Sequence, residues 1–404
     1  MKVLHVIPAY EPAWQVGGGV VRAVSQLCRG LSAQGIDVTV YTTDWGIDKK
    51  LGIPVNEPVE IGGVKVIYFH AESARAFRYS RALGEACRDS IADFDLVHIA
   101  SFWNYPGIPA GLWARRKGIP YVISSHGTLS PFILHKGRLK KWLYMKMIEE
   151  RNLRGAAAIH FTTEVERKFA EPLGLRVPSF VIPNGLDFRE FDELPPREIA
   201  RAHLGLSEIE FVITFLGALH PCKKLDVLIR GLARLVPRFS KVRLLLAGSD
   251  KGQKTLLEKL IRQFGLDHQV NFLGFVGSEK RKQLLAATDL VTLVSSSSEN
   301  FGYAAVEAMA SGVPVLVSDQ VGISREIEMD GAGCVVPVDE GAIAEQLERL
   351  LTNQALLTDM DRAAYFSVRK RYDIKAVARK MILAYEDILL GRRSDECLWQ
   401  KASY

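Results

Sequence analysis

The chain has 404 residues, 48% of them hydrophobic and 24% charged, with a formal net charge of +6. That length exceeds one ordinary core and points to two domains of roughly 180 residues each in a globular protein. No apolar run approaches the ~18–20 residues needed to span a bilayer.

In chain order, the opening MKVLHVIPAY is apolar for only a few residues and has no small-residue cleavage site. It reads as a first buried strand, not a signal peptide. A helix follows from about Gly19 to Gln34, then a strand at DVTVYT. Further strands are expected at VKVIYF, DLVHIA, PYVISS, AAIHFT and FVIPN, most of them separated by helical segments. The pattern then restarts with strands at EFVITFLGAL, VRLLLAGS, QVNFLGF, LVTLVSS and PVLVSD. Helices are expected between them at Leu225–Val236, Lys254–Phe264, Glu279–Ala287 and Gly302–Ala310. Nearly continuous apolar strands alternating with helices predict parallel sheets covered on both faces, hence two doubly wound α/β domains. DELPPREIARAHLGL, between Pro183 and Glu210, is polar, carries prolines and has no clear period, so it reads as the join. A last helix is expected near Asp373–Leu390, before a frayed tail.

Cys28, Cys87, Cys222, Cys334 and Cys397 are scattered and show no CxxC spacing. A disulfide framework or zinc site is therefore not expected, and a reducing cytoplasm is the default compartment. The basic excess lies before Pro183, much of it in HKGRLKKWLYMKMIEERNLRG, 135–155. Two readings stand for that segment: a solvated basic face with its apolar side in the core, or an amphipathic surface that meets anionic lipid headgroups or an anionic acceptor. A nucleic-acid partner is not expected, because no recognisable binding module accompanies it.

Open α/β sheets take ligands at the carboxyl ends of their strands, and three such loops are unusual. Gly17, Gly18 and Gly19 follow the first strand, where bare backbone can approach a phosphate. Ser295–Tyr303 follows LVTLV, supplies hydroxyls and Asn300, and opens a helix whose first N–H groups belong to Phe301, Gly302 and Tyr303. Glu307 sits in that apolar helix, where an ionised carboxylate is costly unless something meets it. A ribose is one candidate, since an acid accepts both ribose hydroxyls in dinucleotide folds; an ion pair is the other. Glu299, in the loop, could take sugar hydroxyls. GALHPCKKLDVLI places Lys223 and Lys224 just before a helix, where they could meet a diphosphate or simply face solvent.

The E-x7-E block from Glu299 to Glu307 in ENFGYAAVEAMASGVPVLVSD resembles that of the retaining glycosyltransferases of family four, which have the GT-B fold. The glycine loop, SSHGT with His126, IPNGLD, LLLAGS and VNFLGFV fall in the family's order, so the resemblance covers nearly the whole chain. It implies two Rossmann-like domains facing across a cleft: an acceptor-binding domain at 1–184, a nucleotide-sugar-binding domain at 185–372, and a C-terminal helix and tail at 373–404 crossing back to the first. Carried over by position, Glu307 would bind the donor's ribose and Glu299 the donor sugar near the anomeric centre. Asn300 lies beside them, and the backbone at Phe301, Gly302 and Tyr303 would hold sugar hydroxyls or phosphate. Lys223 would bind the diphosphate with Gly18 and Gly19 approaching it, and His126 would lie near the sugar. The implied donor is a UDP- or GDP-sugar and the acceptor a glycan or lipid-linked hydroxyl in surface polysaccharide assembly. No metal or other cofactor is expected, with the protein in the cytoplasm or at the inner membrane face.

One departure stands out. The family pattern GRLxxxKG reads Gly217-Ala218-Leu219-His220-Pro221-Cys222-Lys223-Lys224 here, so Ala218 replaces the arginine and Lys224 the glycine. Lys224 or His220 would have to compensate; otherwise the chain is a slow enzyme or a sugar-nucleotide or glycan binder. Asp93-Phe94-Asp95 and Asp359-Met360-Asp361 match DxD, but neither falls at the end of a phosphate-facing strand.

Overall fold

The computed structural model describes residues 1–73, 77–100, 102–130, 142–296 and 299–392. The chain divides into two compact units, Met1–Asp187 with Tyr372–Tyr404, and Phe188–Arg371.

The first unit is built on an eight-stranded sheet in the order β3-β4-β2-β1-β5-β6-β7-β8. Its strands are β1 (Lys2–Val6), β2 (Asp37–Thr43), β3 (Pro58–Ile61), β4 (Val64–Phe69), β5 (Leu96–Ala100), β6 (Tyr121–Ser124), β7 (Ala158–Phe161) and β8 (Ser179–Val181). All pairings are parallel except β3 against β4. The edge strand β3 was not expected from the sequence. It alternates exposed and half-buried residues, and so lacks the continuous apolar run that marks the buried strands; β5, by contrast, is buried at every residue.

The second unit carries a wholly parallel sheet in the order β11-β10-β9-β12-β13-β14. Its strands are β9 (Phe211–Leu216), β10 (Val242–Ala247), β11 (Val270–Gly274), β12 (Leu290–Leu293), β13 (Val315–Ser318) and β14 (Gly333–Val336). Counted within the unit this is the Rossmann order 3-2-1-4-5-6, with the direction of winding reversing between β9 and β12. In the first unit the reversal falls between β1 and β5. The loops leaving these four strands are therefore where an α/β sheet offers a ligand crevice.

Two expectations need correction. The helix placed at Gly19–Gln34 runs from Trp14 to Ser32, with a break inside it at Gly18, where φ is 52° and ψ −136°. A turn of helix thus precedes the glycines, and Gly18 supplies a left-handed backbone that few other residues adopt. The join is also less irregular than its composition suggests, since it contains the helix Arg197–His203. That helix is fastened by cations, not by an apolar stripe: Arg197 and Arg201 both pair with Asp289. Arg201, fully buried, pairs with Asp289 at 2.7 Å and donates to the carbonyls of Ser207, Glu208 and Glu210 at 2.9–3.0 Å.

The C-terminal helix Ile374–Leu389 belongs to the first unit. Val377, Ala378, Met381, Ala384 and Tyr385 enter the same core as Val3, Val24 and Cys28. Leu186 secures its start by donating to Tyr372 O at 2.8 Å and accepting from Ile374 N at 3.1 Å.

Tyr385 ends a buried polar chain that crosses the sheet. Ile182 O can only accept, so His160 Nε2 donates to it (2.7 Å) and His160 Nδ1 must accept from Ser124 Oγ (2.6 Å). Ser124 Oγ then accepts from His98 Nε2, and His98 Nδ1 accepts from the Tyr385 hydroxyl, both at 2.5 Å. One carbonyl thereby sets the tautomers of two histidines. His5 Nε2 reaches the same hydroxyl at 3.5 Å, and no partner meets its buried Nδ1 among the described residues. Burial pushes His5 down to about 3 and His160 to about 4, and holds His98 well below the ordinary histidine range.

A pH dependence follows, because these values are lowered only in the folded chain. Above about pH 6.5 both folded and unfolded states are neutral and stability is complete. As pH falls from there towards about 4, the unfolded chain takes up protons that the folded chain refuses. The first unit should lose ~1.4 kcal/mol per pH unit for each titrating histidine. All six tryptophans lie outside Phe188–Arg371, so urea unfolding followed by tryptophan fluorescence reads this unit alone. A denaturation midpoint unchanged between pH 7 and 5 would contradict the assignment.

Candidate functional site

At the switch point of the second unit, the loop after β9 folds back on the loop after β12. Pro221–Lys223 form a short 3-10 turn, and Lys224, left-handed at φ 43°, takes the N-cap position of the helix Leu225–Leu235. Cys222 O accepts from Ser296 N at 2.9 Å and from Ser295 Oγ at 3.1 Å. Ser318 Oγ accepts from Ser295 N (2.9 Å) and donates to Ser295 O (2.7 Å), so the end of β13 fixes the base of the same loop. The neighbouring Ser297 and Ser298 lie outside the described residues.

Lys223 Nζ donates to Glu299 Oε2, and Glu299 Oε1 accepts from Gly302 N at 3.1 Å. Burial lowers the Lys223 ammonium pKa below the ordinary lysine value. Gly302 opens the helix Tyr303–Ala310 at φ 95°, and a Cβ there would lie 2.8 Å from Val321 Cγ1. Both the backbone conformation and the space demand glycine. Phe301 and Tyr303 are buried and Asn300 is half-buried. The structure thus gathers Lys223, Glu299, Asn300, Phe301, Gly302 and Tyr303 on one edge, with Lys224 beside them in sequence.

Glu307 is 4% exposed and accepts from Arg281 Nη1 at 2.9 Å. This pair supplies the charge compensation that a buried carboxylate needs. Burial of Glu307 therefore requires no ligand, contrary to the reasoning from its apolar neighbours alone. Arg281 was missed because GSEKRKQ reads as a solvated, charged helix start, and nothing in its pattern marks which cation turns inward. Of the two candidates to replace the arginine at Ala218, His220 is engaged within its own loop. Its Nδ1 accepts from Cys222 N at 3.2 Å and lies 2.8 Å from Cys222 Sγ.

In the first unit, Gly18 and Gly19 are exposed within the loop-and-helix segment after β1. His126 follows β6 with φ 43° and lines a small cavity with His5, His98, His160, Ser124 and Asn184. The cavity has room for about one water molecule. Burial lowers the His126 pKa while the nearby Glu166 carboxylate raises it. Glu166, which the sequence did not single out, is 2% exposed. Among the described residues no group of three His, Cys, Asp or Glu side chains is placed to hold a metal. Asp95 accepts from Lys2 N at 2.7 Å at the start of β5, and Asp359–Asp361 lie within the helix Gln354–Tyr372, so neither DxD occupies a ligand edge.

Of the basic segment, residues 135–141 lie outside the described residues. In the remainder, Trp142, Leu143 and Met147 are 58%, 51% and 69% exposed, so these apolar side chains do not enter the core. Lys146 and Arg154 both pair with Glu150 at 2.8 Å. No described helix is long and apolar enough to cross a membrane.

Comparison with known proteins agrees with this architecture. The family model described as glycosyl transferases group 1 matches residues 196–366, and the glycosyl transferase 4-like domain matches 18–185. A D-inositol 3-phosphate glycosyltransferase of Nocardia farcinica is 31% identical over 394 residues, covering 93% of this chain and 83% of that protein. The phosphatidyl-myo-inositol mannosyltransferase of Mycobacterium leprae is 28% identical, with 93% and 95% covered. Among solved structures, sucrose-phosphate synthase from Thermosynechococcus elongatus superposes with a TM-score of 0.78 at 21% identity, covering 97% of this chain and 100% of that one. Anabaena HepE in complex with UDP and glucose also gives 0.78 at 21% identity, covering 96% and 100%. The chain belongs to the group 1 glycosyltransferases of family four, with the GT-B fold.

Proposed function

We propose that this protein is a retaining hexosyltransferase that moves a hexose from a UDP- or GDP-sugar to a hydroxyl of a glycan or lipid-linked acceptor, in surface polysaccharide assembly, without a metal or other cofactor. The observation that carries the reading is the Lys223–Glu299 pair at the β9/β12 switch point, with Gly302 N on the same carboxylate. A lysine held on an acid inside a ligand edge is a cation ready to transfer to a diphosphate. Glu299 then turns to the sugar hydroxyls, and the N–H groups opening the helix Tyr303–Ala310 share the negative charge.

In the reaction the bond from the anomeric carbon to the β-phosphate oxygen breaks. The acceptor oxygen bonds to that carbon on the same face, and its proton passes to the departing diphosphate. No side chain need be a strong base, and His126 stands as the proposed catalytic group of the first unit. The exposed Trp142, Leu143 and Met147 and the basic excess before Pro183 favour an amphipathic or anionic acceptor at the inner membrane face. Relatives named for inositol phosphate and phosphatidylinositol acceptors point the same way.

Glu307 is assigned to the donor ribose, with Arg281 holding one of its oxygens. Loss of a charge-assisted hydrogen bond removes ~1.5–3 kcal/mol, so Glu307→Gln should weaken nucleoside diphosphate binding roughly 10- to 100-fold. A thermal-shift panel of UDP, GDP and their sugars measures this, since a ligand at 100 times its dissociation constant adds ~2.7 kcal/mol of stability. Undiminished affinity across that panel would remove the ribose assignment.

A catalytically weak binder is the second reading, favoured by Ala218. If Lys224 replaces the missing arginine, Lys224→Ala should cost about 100-fold or more in kcat, and Ala218→Arg should restore part of it. Equal turnover in the wild type and Lys224→Ala would end that compensation. Absence of sugar transfer and of donor hydrolysis in the wild type would favour the binder.

A further inference from the structure

We propose that Glu166 is a positioning residue that holds the His126 loop in its working conformation; this rests on the reading of His126 as a catalytic group. Thr163-Glu164-Val165-Glu166 has the T-x-x-E spacing of a capping box, and Thr163 does cap the helix Glu164–Ala170, accepting from Glu166 N at 3.1 Å. In a capping box the glutamate reaches back to the N-cap backbone N–H. Here its carboxylate also reaches beyond the cap. Oε2 accepts from Thr162 N at 2.7 Å and from Thr162 Oγ1 at 2.9 Å. Oε1 crosses to the loop after the neighbouring strand β6, where it accepts from Gly127 N at 2.6 Å and from Ser125 Oγ.

Those two bonds grip the residues on either side of His126. His126 is left-handed, at φ 43°, a conformation that a residue with a Cβ keeps only when its surroundings impose it. The rest of the turn is closed by Thr128, whose N and Oγ1 both donate to Ser125 O, at 3.0 and 2.5 Å. One buried carboxylate therefore joins the end of β7 to the loop after β6 and fixes the direction of the ring between its two tethers. Its negative charge also favours the protonated ring, against the burial that disfavours it. Strain held at a ligand-edge residue by a buried, fully bonded acid marks a preorganised group.

The test is Glu166→Gln in the full chain, with His126 identified in histidine-labelled NMR spectra by comparison with His126→Ala. Glutamine offers one acceptor and one donor group where four donors converge. The His126 ring should titrate about half a pH unit or more lower than in the wild type. The kcat should fall at least tenfold, with the dissociation constant for UDP or GDP unchanged, because the residues assigned to those ligands, Lys223, Glu299 and Glu307 with Gly18 and Gly19, lie outside the loop that Glu166 holds. Glu166→Asp keeps the charge and shortens the reach, so it should recover the ring titration more than the turnover. Ser125→Ala removes one tether and leaves the acid. It should give a smaller drop in kcat, and it decides the matter if Glu166→Gln fails to fold. A His126 titration and kcat that are both unmoved in Glu166→Gln, or a kcat unmoved in Ser125→Ala should the first variant not fold, overturn the proposal. Full turnover in His126→Ala instead defeats the catalytic reading of His126, and the NMR titration still judges the tether.

Discussion

In the loops around Glu299 and Glu166, a carboxylate withdrawn from water must be met by donors, and the loop takes its shape from how that demand is satisfied. In the second unit Glu299 is held between Lys223 and the N–H of Gly302, which joins the end of β9 to the first turn of the helix after β12. Without that acid, Lys223 would be a half-buried cation with no counter-charge and Gly302 N a helix-end donor with no side-chain acceptor. Lys223 thus sits on an anion, and the N-terminus of that helix faces an oxygen of the same group.

The same rule governs Glu307, Asp289 and Glu166, with different consequences. Arg281 compensates Glu307, so its burial needs no ligand and the functional role rests on the family pattern. Asp289 compensates Arg201, and the result is structural: a short helix of poor apolar periodicity is fastened to the second sheet. Among the described residues Glu166 is met by neutral donors, two of them flanking a strained histidine. Acids of similar appearance in the sequence thus meet an ion-pair partner, fasten a joint of the fold or bridge two loops.

Around its buried strand histidines the first unit uses neutral groups instead. His98 and His160, on the parallel strands β5 and β7, are satisfied by Ser124, Tyr385 and the carbonyl of Ile182, while His5 on β1 reaches only the Tyr385 hydroxyl among the described residues. Because each ring nitrogen in the chain from Ile182 to Tyr385 is committed as donor or acceptor, a proton added to His98 or His160 breaks a bond there. The C-terminal helix is fastened to the sheet through the same hydroxyl, which adds a directional contact to the apolar packing of Val377, Ala378 and Met381.

The sequence by itself determined the fold class and most of the elements, because short, largely apolar runs such as LVHIA and VRLLLA, alternating with helical patterns, match parallel strands covered on both faces. The E-x7-E block also named the family. It did not reveal β3, whose half-exposed residues carry no such run, or the helical turn ahead of Gly18. Only the tertiary structure decided which charges meet. Arg281 finds Glu307 across 26 positions, Lys223 finds Glu299 across 76, and Glu166 reaches Ser125 across 41. The reason is physical: apolar periodicity is local and readable along the chain, whereas the partner of a buried charge is chosen by where folding brings the chain together, and no spacing in the sequence records that.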